Sequence, residues 1–132
     1  MSRTVVDQLV KLWAEGNADG IVALCRPDAL CDCNVPQWRY QVHPDALLEN
    51  MRRNTEMPDR STTIGYHEPT RDGAVVEVET RGTLQGEPIL IRELWTVRTD
   101  GERITEWIMY CTGGWDADTI TRQRAEAPML RS

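Results

Sequence analysis

A chain of 132 residues, 40% of them hydrophobic, is long enough to bury a core without disulfides or a structural metal, and it reads as one domain over residues 1–132. Its formal net charge of −6 and the lack of a Lys/Arg cluster beyond Arg52-Arg53 exclude a nucleic-acid or anionic-membrane surface, because both need concentrated positive charge. The opening residues carry charge among their apolar positions and no apolar run approaches a membrane span, so the expected location is the cytoplasm.

From Thr4 to Glu15, Val5, Val6, Leu9, Val10, Leu12 and Trp13 recur with the period of a helix that buries one face. A second, shorter helix is predicted over Ala18 to Cys25 and is stopped by Pro27. Asp28 to Val35 reads as a short strand or extended arm, and Gln37 to Val42 as an ordered loop. His43-Pro44 opens a third helix, since proline suits the first helical position. Ala46, Leu47, Leu48 and Met51 face the core there, and Pro58 closes the segment.

Beyond Pro58 the pattern turns to sheet. Ser61 to Glu68 is a strand, Asp72-Gly73 a turn, and Val76, Val78 and Thr80 alternate with Glu77, Glu79 and Arg81. Gln85-Gly86 turns the chain into a long hairpin over Pro88 to Thr112, closed by Asp100-Gly101. In its first strand Ile89, Ile91, Glu93, Trp95 and Val97 share one face and Leu90, Arg92, Leu94, Thr96 and Arg98 the other. In its second, Ile104, Glu106, Ile108 and Tyr110 oppose Thr105, Trp107, Met109 and Cys111. Neither strand has a wholly polar face, so both sides of the sheet expect cover from helices, a ligand or another subunit. The TGGWDAD segment reads as a loop or cap, with Asp116 or Asp118 starting a short helix through Thr119 to Ala127.

Cys25, Cys31, Cys33 and Cys111 form no C-x-x-C pair and have no matching histidine spacing, which argues against a zinc site. No phosphate loop or dinucleotide motif is present. Neither a metal nor an organic cofactor is implied.

Helices followed by a meander of four strands make an α+β pattern. That order, the helix–helix–strand opening and the DGERITEWIMY run at Asp100 to Tyr110 resemble the nuclear transport factor 2-like superfamily, which includes ketosteroid isomerases, SnoaL-type polyketide cyclases and limonene epoxide hydrolases. The resemblance spans Val5 to about Trp115. It implies a cone-shaped, curved antiparallel sheet wrapped around three N-terminal helices, a cystatin-like roll with a deep apolar pocket, and a homodimer formed through the outer sheet face. Aligned without gaps on the isomerases, the chain has Leu9 where they carry a catalytic tyrosine and Cys33 where they carry the base aspartate. Asp32 stands one residue away, and the oxyanion-hole aspartate falls near Leu94, beside Glu93. The aspartate of the epoxide hydrolases falls near Met109. The sequence departs from both catalytic sets.

Glu93 is the most informative residue, because a regular strand carries it to an apolar face, where a carboxyl group without a partner holds its proton near neutrality. The alternatives are an ion pair with Arg81 or Arg52, or a bulge that turns it to solvent. Asp32 is a second candidate base at the pocket mouth or a turn carboxylate, and His43 a proton shuttle or a helix cap. Tyr40 and Tyr110 are candidate donors to a ligand oxygen or ordinary amphipathic core residues. The superfamily layout implies that Trp107, Met109 and Cys111 wall the pocket, with Cys33 beside them and Trp38 and Trp115 framing its mouth. Such a pocket suits a flat, apolar or polycyclic small molecule. The leading expectation is a cofactor-independent enzyme of the cyclase or isomerase type using acid–base catalysis. The alternative is a non-catalytic binding protein of the same fold.

Overall fold

The computed structural model describes residues 2–131; Met1 and Ser132, the ends of the 1–132 domain reading, lie outside the described residues. The chain forms α1 (Ser2–Glu15), α2 (Ala18–Leu24), β1 (Cys25–Val35), β2 (Trp38–Val42), α3 (Pro44–Thr55), β3 (Ser61–Pro69), β4 (Gly73–Leu84), β5 (Glu87–Thr99), β6 (Ile104–Asp116) and α4 (Ala117–Glu126). The helix boundaries reflect local chemistry. Asn17 caps α2 by accepting from Gly20 N at 2.8 Å, Pro44 begins α3, and Asp116 caps α4 by accepting from Thr119 N at 2.8 Å.

The six strands form one curved sheet in the order β2-β1-β6-β5-β4-β3. The expectation of an antiparallel sheet needs one correction: β1 runs parallel to β6. Everything from β2 to β5 lies between them in sequence, and a connection of that length can return a strand in the same direction.

Two further readings are corrected. Gln37 to Val42 contains a strand rather than a loop, because Trp38 to Val42 pairs antiparallel with Cys31 to Val35 across a tip where Gln37 has φ 63°. TGGWDAD is not a loop either: β6 continues to Asp116 and pairs with Ile89 to Ile91. The Asp100-Gly101 turn is wider than a two-residue hairpin, since Asp100 Oδ1 accepts from both Glu102 N and Arg103 N at 2.9 Å. The tight two-residue turn with positive φ at both positions is Gln85-Gly86 (52° and 82°).

The core lies between the sheet and the first helices. Val5, Val6, Leu9 and Trp13 of α1 and Ile21 of α2 are buried with Val76, Val78, Trp95, Val97 and Trp107. Three tryptophans form its centre. Trp95 lies 5.0 Å from Trp13 and 5.1 Å from Trp107 between ring centroids, with near-perpendicular planes, a favourable edge-to-face arrangement. On the opposite sheet face Tyr66, Leu94 and Tyr110 remain exposed. Among the described residues, no helix is long and apolar enough to cross a membrane.

Candidate functional site

At one end of this core the sheet and α3 part to leave a cavity of about 170 Å³. The sheet supplies Cys33, Asn34 and Val35 from β1, Tyr40 from β2, Ile91 and Glu93 from β5, and Met109 and Cys111 from β6. The helices supply Trp13 from α1 and Leu47, Asn50, Met51 and Asn54 from α3. Those α3 residues stand at i, i+3, i+4 and i+7, one face of a helix. Larger depressions of about 460 Å³ beside α4 and about 610 Å³ around Tyr66 and Leu94 contain no buried acid or thiol in their linings, while one of about 210 Å³ beside Arg92, Leu94 and Tyr110 also borders Glu93.

Register explains why Glu93 points inward. It pairs with Val78 on β4 and Cys111 on β6, so the three share a face. A bulge does occur here, between Ile91 and Glu93, but the extra residue belongs to β6, where Gly113 takes φ 73°. Bulges of this kind re-aim neighbouring side chains. Here Glu93 and Cys111 stay on the cavity side and the sheet bends beside them.

Glu93 is 8% exposed, and its Oε1 accepts from Trp95 Nε1 at 3.2 Å. Neither of the basic partners considered from the sequence reaches it: Arg81 pairs with Glu79 and Arg52 with Asp19. Burial pushes the Glu93 carboxyl up to about 7, opposed by the Trp95 hydrogen bond and the more distant charge of Arg60. Desolvation dominates because taking a carboxylate out of water without an ion-pair partner disfavours the charged form.

Tyr40 faces the same space. Burial, reinforced by the neighbouring Cys33 and opposed by Asn50, pushes its hydroxyl up to about 12, so it stays protonated at neutral pH. Burial also pushes Cys111 up to about 11 and raises Cys33. The thiols stay protonated, as small hydrophobic groups do.

The other sequence candidates lie elsewhere. Asp32 is on the opposite sheet face, because β1 is regular there and pairs Asp32 with Ile108 and Gln41. Its carboxylate accepts from Arg39 Nε at 3.0 Å and Nη2 at 2.6 Å, from Gln41 Nε2 at 3.0 Å and from Asn34 Nδ2 at 3.2 Å. Chiefly the Arg39 and Gln41 bonds hold it down at about 2, which makes it a poor base at neutral pH. His43 is exposed at the start of α3 with its Nδ1 3.0 Å from Ala29 O. Trp107 is not a wall residue: it is fully buried behind Trp13 and Trp95. Trp38 is 70% exposed beyond the cavity rim, and Trp115 lies opposite Leu90 on the other sheet face. Tyr110 is exposed on that face too.

Asn50, Asn54 and Arg60 went unrecognised in the sequence. Extending the helical period from Leu47 and Met51 finds both asparagines. Arg60, between α3 and β3, has no periodic signal. It is half-buried, donates from Nε to Asn54 Oδ1 at 3.0 Å, and stacks its guanidinium 5.2 Å from the Trp13 ring centroid.

The sequence pattern of the SnoaL-like domain matches residues 6–107. The chain belongs to the SnoaL-like domain family, within the nuclear transport factor 2-like superfamily. No curated protein matches it. Among solved structures it is similar to IdmH from Streptomyces antibioticus, for which a polyketide cyclase activity has been put forward, at 18% identity and a TM-score of 0.69 over 92% of this chain and 96% of that one. A protein from Catenulispora acidiphila with a ketosteroid isomerase-like fold, solved with trimethylamine, is 18% identical with a TM-score of 0.67 over 86% and 88% of the two chains. An epoxide hydrolase from M. tuberculosis is 15% identical with a TM-score of 0.64 over 83% and 81%. Similarity at this level establishes the fold. Chemistry has to be argued from the cavity itself.

Proposed function

We propose that this SnoaL-like chain is a small-molecule enzyme of the polyketide cyclase or isomerase type, which moves a proton on a mainly apolar, carbonyl-containing substrate held in the cavity. The observation that carries the reading is Glu93: a carboxyl group buried in a cavity wall, without an ion pair among the described residues, balanced near neutrality by burial. A group so balanced can take a proton from carbon beside a carbonyl and return it elsewhere. Leu47, Met51, Ile91 and Met109 surround the reacting atoms with apolar surface, and Tyr40 serves as a neutral donor. At about 170 Å³ the cavity is below the roughly 300–1,000 Å³ usual for ligand pockets. That size favours a one- or two-ring substrate over the larger polycyclic molecules expected from the sequence.

The test is exchange of α-protons of small cyclic ketones for deuterium, followed by proton NMR. Glu93→Gln should lower exchange about a hundredfold or more while ligand binding persists. Exchange at the wild-type rate in that variant would remove the proposal.

The second reading, a non-catalytic binding protein, is favoured by the fully buried Leu9 and the buried Cys33 at positions where the isomerases carry tyrosine and aspartate. It predicts ligand binding with no exchange in the wild type. In both readings the chain works as one cytoplasmic domain and pairs with a second copy through the outer face bearing Tyr66, Leu94 and Tyr110.

A further inference from the structure

Several hydrogen-bond donors at and beside the cavity lack an acceptor among the described residues. Arg60 has only N–H groups to offer, so its 3.0 Å bond to Asn54 fixes the flip of that carboxamide: Oδ1 faces the guanidinium, and the Nδ2 donors are turned away from it. Asn54 lines the cavity, and no bond from its Nδ2 to another described residue is formed. Two further donors stand close by. Trp13 Nε1, on a side chain only 3% exposed, and Arg60 Nη2 are both buried without an acceptor among the described residues. Buried donors without acceptors are rare, because each forfeits a hydrogen bond it had in water. A cavity bordered by such donors and by the Glu93 carboxyl group matches a ligand that carries both an acceptor oxygen and an acidic C–H.

We propose that Asn54, oriented by Arg60, is the hydrogen-bond donor that holds the substrate's carbonyl oxygen. This deepens the proton-transfer reading of Glu93 and rests on it. In the step, the Glu93 carboxylate takes a proton from the carbon beside the carbonyl. The C–H electron pair becomes the carbon–carbon double bond of an enolate, and the carbonyl π pair moves onto oxygen, where Asn54 Nδ2 meets it. The protonated Glu93 then returns the proton to carbon. Donors aimed at developing charge lower the barrier because they are already in place. Arg60 is a positioning residue: held by its stack on Trp13, it sets the carboxamide and adds positive charge nearby.

The probe is 2-cyclohexen-1-one with a ¹³C-labelled carbonyl, its stretching frequency and binding read in the wild type and variants. Asn54→Asp is the decisive change, because the new carboxylate still accepts from Arg60 and cannot donate to the ligand. Asn54→Leu is the uncharged counterpart. The wild type should lower the carbonyl stretch relative to the probe in hexane. Both variants should lose most of that shift and bind the probe roughly three- to tenfold more weakly, the worth of one hydrogen bond. Arg60→Met should lose part of the shift and Arg60→Lys recover some of it. A wild-type carbonyl shift in the folded Asn54→Asp protein overturns the assignment while leaving the Glu93 reading intact. If the wild type binds no enone, or binds it without lowering the stretch, the assignment falls. Deuterium exchange of the small cyclic ketones by wild type and Glu93→Gln, measured alongside, shows separately whether the proton-transfer reading stands.

Discussion

The indole N–H of Trp95 lies 3.2 Å from Glu93 Oε1 and is the only hydrogen-bond donor to that carboxyl group among the described residues. The two are i and i+2 on one strand and share the inward face, so the core tryptophan that anchors the helices also steadies the cavity acid. One neutral donor does not offset the burial of a charge, and the consequences are measurable.

Because Glu93 sits at about 7 when folded against an ordinary 4.5, the native state keeps its proton where the unfolded chain releases it. Stability is therefore lost as pH rises from about 4.5 to 7 and levels off above, a cost on the order of 3 kcal/mol. Glu93→Gln removes that titration. Thermal unfolding should show the variant near wild type at pH 4 and clearly more stable at pH 8; equal curves at pH 8 would count against burial of the charge.

Asp32 has the opposite sign. Its carboxylate is held at about 2, below the ordinary 3.8, so it contributes stability above that ordinary value and loses it as pH falls through about 2. Asp32→Asn should lower the melting temperature at pH 7, lessen the acid-side loss, and leave ketone exchange at the wild-type rate. A collapse of exchange in a folded Asp32→Asn protein would return Asp32 to the catalytic set.

The thiols should be slow. With Cys25 and Cys31 pushed up to about 12 and Cys111 to about 11 by burial, labelling by a disulfide reagent at pH 7.5 should run about a hundredfold or more below a free thiol. Denaturation should restore the normal rate. Fast native labelling of Cys33 or Cys111 would show a reactive thiol in the cavity.

The tryptophans divide by environment. Trp107→Ala empties the centre of the core and should cost roughly 3–5 kcal/mol in denaturant unfolding, whereas Trp38→Ala, exposed at the β1–β2 tip, should stay within about 0.5 kcal/mol of wild type.

Where a single periodicity controlled a segment, the sequence was a reliable guide: the α1 stripe and the β4 alternation appear in the structure, and Glu93 shares a face with Trp95, but which face of the hairpin turns inward was not legible because both are apolar. It failed where tertiary pairing overrode local pattern. Gln37 to Val42 reads as a loop because its polar residues Gln37, Arg39 and Gln41 hide a strand whose order comes from pairing with β1. Trp107 shares a face with Met109, yet position along β6 decides that one lies in the packed core and the other at the cavity. Arg60 reaches the site from a loop, and only the fold brings it to Asn54.

Titration of the Glu93 side-chain carboxyl carbon by ¹³C NMR, assigned by comparison with Glu93→Gln, decides whether burial holds this acid ready to exchange a proton at neutral pH. The expected midpoint is near 7 and moves when a ketone binds. A midpoint at the ordinary 4.5, unmoved by ligand, would contradict the proton-transfer role.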